Sequence, residues 1–228
     1  MSHTVPSASA VAEVGGWGPF FTVERHDVPP PGWRPVRELA DDPQVLADRV
    51  AAVRAYLASG GGRVPVRVAA SVTQLGVVAR LVAPSLGLAV HSGRFLGVAD
   101  ACWRSELGGA FPLSVTGRAT DSPAELIGVV RGIVDATRVF SVSDRVLWGN
   151  VASAVNGAAM MVAVARPDLA ARATAVADDV LRLPPLRGTG VRHPDGRFQR
   201  RSCCLIYRAS PTGGRAAVCG DCVLAGGH

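Results

Sequence analysis

Four of the five cysteines in this chain fall within twenty positions, as Cys203-Cys204 and Cys219-x-x-Cys222. Thiols clustered at short spacing form disulfides or hold a metal, and the redox compartment decides between the two. Met1 to Gly16 carries no basic head and no continuous apolar block, so the expectation is a chain that is not exported. In a reducing compartment the thiols stay free and their thiolates bind metal. Four cysteines suit a structural zinc or an iron–sulfur cluster. Zinc sites usually separate each thiol couple by roughly two to four residues, whereas the first couple here is adjacent. Neighbours in an extended strand point to opposite sides, so Cys203 and Cys204 reach one small ion only around a local bend. A two-iron cluster is wider and accommodates such a pair more easily, but the spacing leaves both metals open. Cys102 lies alone in an apolar stretch and reads as a small core residue.

Composition bounds the rest. With 228 residues, 48% hydrophobic and 18% charged, the chain can bury a sizeable core and reads as globular. Its most apolar run, Val151 to Ala165, has fifteen residues, so no membrane span is expected. The net charge is +6, and all 24 basic residues are arginine. Dispersed arginines and 5% aromatic content argue against nucleic-acid binding. The exception is Arg187 to Arg215, where seven arginines face one acid, Asp195. There is no glycine-rich dinucleotide fingerprint, no phosphate loop ending in lysine and no nucleophile elbow. If the protein moves electrons, a partner must deliver them.

The elements that must position the thiols follow from periodicity and punctuation. The pattern predicts a mainly helical α+β fold of about five helices, a small antiparallel sheet and a C-terminal hairpin. Residues 1–35 read as an irregular arm rich in Pro and Gly, 36–185 as a helical domain with a central strand pair, and 186–228 as the cysteine region packed on it. Asp42 caps a helix whose first residue is Pro43. A second helix runs from about Pro65 to Val82 and is stopped by Pro84. Arg94 to Arg104 and Phe111 to Thr116 read as antiparallel strands. Ser122-Pro123-Ala124-Glu125 is a capping box that opens a third helix, running to about Arg138. Ser143 caps a fourth, Asp144 to Ala165, and a fifth carries Leu169, Ala173, Val176, Val180 and Leu183 on one face. Pro194-Asp195-Gly196 turns a hairpin that feeds the first cysteines.

The run Arg200-Arg201-Ser202-Cys203-Cys204-Leu205-Ile206-Tyr207-Arg208, with Cys219-Gly220-Asp221-Cys222-Val223-Leu224, resembles the C-terminal signature of the FhuF-like ferric siderophore reductases. Leu147-Trp148-Gly149-Asn150-Val151-Ala152-Ser153 resembles that family's internal segment, and Ala70 to Gly87 does so more weakly. The fourteen residues between Cys204 and Cys219 exceed the family's usual spacer, and a turn at Ser210 to Gly214 can absorb the excess. The resemblance implies a cytoplasmic protein with a [2Fe-2S] cluster on Cys203, Cys204, Cys219 and Cys222. Its implied activity is one-electron reduction of an Fe(III) siderophore, hydroxamate-type among the options, with release of Fe(II). The electron would come from an external donor such as a ferredoxin or a reductase.

Arg200, Arg201 and Arg208 are candidate charges around the cluster, and Trp148 and Asn150 candidate substrate contacts. The plainer reading of Asn150 is a hydrogen bond to core backbone. His193 reads as a surface turn residue rather than a ligand. The alternative function is a structural four-cysteine zinc protein whose basic tail binds nucleic acid or an acidic partner.

Overall fold

The structure, a computed structural model, describes residues 8–209 and 218–226. One helix start is fixed by a short polar side chain. Asp42 Oδ1 accepts the amides of Gln44 and Val45 (2.9 and 3.4 Å) and opens α3, Pro43–Ala58, with Pro43 at the first helical position. The short α2, Glu38–Asp41, precedes it, and α1, Ala8–Gly15, lies further upstream. The stretch expected to be irregular therefore contains a helix. Its Val11 and Val14 are buried and α1 packs on α4, so tertiary contact overrides the local Pro and Gly content.

The largest correction concerns α4, Val66–Ser92, which runs through Pro84 instead of stopping before it. Proline inside a helix costs about 3 kcal/mol. Leu81, Val82, Leu86, Leu88 and Val90 are all buried around it, and each such side chain contributes about 1.5–3 kcal/mol on leaving water. Burial outweighs the break. The helix ends at Gly93, whose φ of 80° suits its left-handed cap.

Helices α5, Ala124–Thr137, α6, Asp144–Ala165, and α7, Ala170–Leu181, complete the set. Helix α4 is the hub and packs against α1, α3, α5, α6 and α7. Both α4 and α6 are long and apolar enough to cross a membrane, contrary to the sequence expectation, and 72% and 61% of those windows are buried within the protein. Glu125 does not close the expected capping box. Its Oε1 accepts from the amides of Val98 and Ala99 (2.8 and 3.1 Å), and Arg118 pairs with it at 2.7 Å. Ser143 precedes α6 without a side-chain cap bond.

The strands are short. β1 (Glu24–Arg25), β2 (Arg34–Pro35), β4 (Cys102–Trp103) and β5 (Leu113–Val115) form a sheet in the order β1-β5-β4-β2. β1 runs parallel to β5, and the other pairs are antiparallel. The expected β4–β5 pairing is present, but the sheet is mixed because residues 24–25 add a parallel edge. β3 (Phe95–Leu96) pairs with β6 (Ala119–Thr120), and β7 (Gly190–Arg192) with β8 (Phe198–Arg200). The fold is α+β and mainly helical.

Candidate metal centre

The β7–β8 hairpin delivers the cysteine motif. Its turn closes with the His193 amide on the Arg197 carbonyl (2.9 Å), and Arg200 at its end pairs with Gly190. The Arg200 amide then donates to the Asp221 carbonyl (2.9 Å), which joins the strand end to the second cysteine loop. The chain bends at once after the vicinal pair: Leu205 has φ 70°, a left-handed conformation rare for a leucine. Its amide donates to Cys203 Sγ at 3.3 Å. This is the bend that an adjacent pair requires.

The four sulfurs group two and two. Cys204 Sγ lies 3.2 Å from Cys219 Sγ, and Cys203 feels Cys222 electrostatically, which helps to raise its pKa. Each couple takes one member of the vicinal pair and one from the C-x-x-C. Each also has one fully buried sulfur residue, Cys204 or Cys222, and one half-buried, Cys219 or Cys203. A two-iron cluster takes two ligands at each iron, which two separate couples can supply.

Three of the cysteines are perturbed, and not in the same direction. As free thiols, Cys204 is held down to about 5, first by its hydrogen bond with Cys219, then against desolvation by the nearby Arg200 guanidinium. The same bond, with burial, keeps the Cys219 proton on. Burial pushes Cys203 up to about 11. Arg200 is 0% exposed, and its Nη2 donates to Cys219 Sγ at 2.9 Å. Burial lowers its pKa, but the Cys204 and Asp221 charges more than offset that. Arg200 Nε lies 3.7 Å from Asp221 Oδ1 and, like the buried Ser202 Oγ, has no hydrogen-bond partner. Unpartnered polar atoms beside four thiols fit a site built to surround a bound group with further acceptors.

Behind the cysteines runs a buried polar network. Arg200 Nη1 donates to Asn150 Oδ1 (3.0 Å). Asn150 Nδ2 lies within donor distance of the Ser71 carbonyl and hydroxyl and of Gln74 Oε1 (3.1, 3.0 and 3.0 Å). Ser71 Oγ donates to the Cys204 carbonyl (2.8 Å), closing the loop through the vicinal pair. Asn150 is thus enclosed and engaged at both ends of its amide, and it positions Arg200. Trp148 is also buried, with Arg131 stacked over its ring at 5.6 Å. Gly149 leaves room for Ser202, because a Cβ there would overlap the Ser202 hydroxyl.

Of the three arginines singled out, Arg200 alone touches a cysteine among the described residues. Arg201 and Arg208 are exposed. The Arg201 carbonyl accepts from Arg145 Nε and Nη2 (3.1 and 2.7 Å). Cys102 is buried in β4, away from the motif, with its thiol toward the Asp100 carbonyl. His193 pairs with Gln199 across the hairpin (3.2 Å). The expected turn at Ser210 to Gly214 lies outside the described residues.

Residues 200–224 match the family model described as the FhuF 2Fe-2S C-terminal domain. This segment is FhuF-like, and the cofactor it carries is a [2Fe-2S] cluster. The match spans all four clustered cysteines and Arg200. No curated protein matches the chain. Sequence reasoning missed Ser71, Gln74, Ser202 and Asp221 around the FhuF-like motif. Ser71 and Gln74 had a readable signal: two polar residues three apart in an apolar helix face.

Proposed function

We propose that the protein is a cytoplasmic ferric siderophore reductase. The observation that carries this reading is the FhuF-like segment itself, with its two thiol couples and a buried guanidinium against one of them. Cys203, Cys204, Cys219 and Cys222 hold the cluster. When bound, the [2Fe-2S] cluster supplies one electron at a time, filled by an external protein donor and passed to an Fe(III) chelate. Fe(III) sits tightly among the hard oxygen donors of a siderophore. As Fe(II) it is larger and softer, so it leaves.

The chain's own contribution is electrostatic and positional. Arg200 stands beside the Cys204–Cys219 couple and offsets the negative charge that reduction adds. Asn150, Ser71 and Gln74 fix that guanidinium, so little rearranges as charge changes. The half-buried Cys203 and Cys219 mark the edge nearest solvent, where a chelate or a donor approaches. The exposed Arg201 and Arg208 supply positive charge beside that edge for an acidic donor or an anionic chelate.

The test is a single-turnover reaction. Anaerobically purified protein is reduced with dithionite, desalted, and mixed with a ferric trihydroxamate and a chromogenic Fe(II) trap. The expected result is one Fe(II) trapped per reduced cluster, with the visible spectrum returning to the oxidised form. A reduced protein that keeps its electron beside the chelate, or a colourless protein carrying zinc, overturns the proposal.

A further inference from the structure

Four buried side-chain polar atoms lack a hydrogen-bond partner among the described residues: Thr73 Oγ1, Trp103 Nε1, Arg200 Nε and Ser202 Oγ. The last two belong to the cysteine site. Thr73 Oγ1 marks a second place. A cavity of about 250 Å³ opens between α3, α4 and the β4–β5 connection, and Arg49, Tyr56, Thr73, Gly76, Leu107 and Phe111 are among the residues lining it.

Arg49 is 7% exposed, and its guanidinium carbon stands 5.4 Å from the ring centres of both Trp103 and Phe111. Its Nη1 donates to Ser105 Oγ (3.2 Å), and no carboxylate among the described residues pairs with it. Burial alone pushes its pKa down, with no acid opposing the shift. Arg80 is just as buried, but it spends its donors on the carbonyls of Phe111, Phe20 and Thr22. A buried cation without a counter-charge is costly, and an anion entering the cavity relieves that cost.

Gly76 lines the cavity from the exposed side of α4, and a Cβ there would meet no protein atom within 4 Å. The volume equals that of about eight liquid waters, which suits a molecule of roughly ten heavy atoms. One guanidinium and mostly apolar walls suit one negative charge better than two.

We propose that this cavity binds a small organic monocarboxylate, its carboxylate on Arg49 and the Thr73 hydroxyl and its apolar body along Phe111 and the α3–α4 wall. The cavity and the cysteine site use different faces of α4. Val72, Thr73 and Gly76 turn to the cavity, while Ser71 and Gln74 hold Asn150. The inference therefore stands whether or not the protein reduces siderophores.

The holoprotein is titrated with benzoate and hexanoate, with benzamide and hexanamide as neutral comparators at constant chloride. Tryptophan fluorescence and Tm are read in parallel. Both acids are expected to saturate and to raise Tm, with the amides at least about tenfold weaker. Arg49→Met should lose the preference for acids. Gly76→Leu, which grows into the cavity, should abolish binding while the visible spectrum of the cluster stays unchanged. Equal affinity for acid and amide, no saturation by either acid, or full binding by Gly76→Leu overturns the proposal. Should Arg49→Met not fold, the acid–amide comparison and Gly76→Leu still decide.

Discussion

Replacing Arg200 by Gln removes the guanidinium that touches the thiolates and keeps a polar side chain for Asn150. The effect on the cluster's midpoint potential follows from distance. Arg200 Nη2 is 2.9 Å from Cys219 Sγ. An iron held by that sulfur would lie one bond beyond it, which would put the guanidinium charge and the added electron about 5 Å apart. At an effective dielectric of about 20 their attraction is about 3 kcal/mol, or about 0.14 V for one electron. Arg200 is 0% exposed, so salt screens little of this. Asp221, 3.7 Å from Nε, loses its partner in the variant and pushes in the same direction. The potential should therefore become more negative by about 0.1 V in protein-film voltammetry. Arg200→Lys should move it less, because the charge remains while the fork that spans Asn150 and Cys219 is lost. Asp221→Asn should move it upward. If Arg200→Gln retains its iron and sits within about 20 mV of the parent, the electrostatic argument is wrong. If that variant loses its iron, the sign of the Asp221→Asn shift carries the same test.

Single Cys203→Ser, Cys204→Ser, Cys219→Ser and Cys222→Ser variants should each lose or alter the visible spectrum and the iron and sulfide content. Cys102→Ser should change neither. Gly149→Ala should destabilise the protein by about 1–3 kcal/mol in urea unfolding, because its Cβ overlaps the Ser202 hydroxyl. Ser202→Ala, which removes an unpartnered hydroxyl, should be nearly neutral, and Gly149→Ala with Ser202→Gly should recover most of the loss. Burial opposes ionisation of Glu125, but the Ala99 and Val98 amides and Arg118 more than offset it and hold its pKa below the usual carboxylate range. A depressed folded pKa stabilises above the unfolded value and is lost as pH falls through the folded one. Glu125→Gln should therefore be less stable than the parent at neutral pH, with the gap closing on acidification as pH falls below the ordinary glutamate pKa and through the lower folded one.

Local chemistry alone determined several features. The cap at Asp42-Pro43, the span of α6, the hairpin around Pro194-Asp195-Gly196 and the buried character of Cys102 follow from neighbours a few residues apart. The thiol spacing left zinc and an iron–sulfur cluster both open, and the resemblance of the motif around it implied the cluster before any fold was visible. What the sequence left open depends on contacts between distant segments. Pro84 reads as a stop because its missing N–H is a local fact, and α4 ignores it because burial among five neighbouring helices is not. Glu125 looks like half of a capping box until the β3–β4 connection brings the amides of Val98 and Ala99 to it. Arg200, Arg201 and Arg208 look alike in a basic tail. Only the docking of β8 against α6 encloses one of them among Asn150, Asp221 and Cys219, and leaves the other two exposed. Arg49 is a helix arginine like its neighbours in the sequence. It becomes a buried charge, with no acid paired to it among the described residues, because Trp103 of β4 and Phe111 of the β4–β5 connection pack against it, and desolvation is a property of the packed structure rather than of the residue.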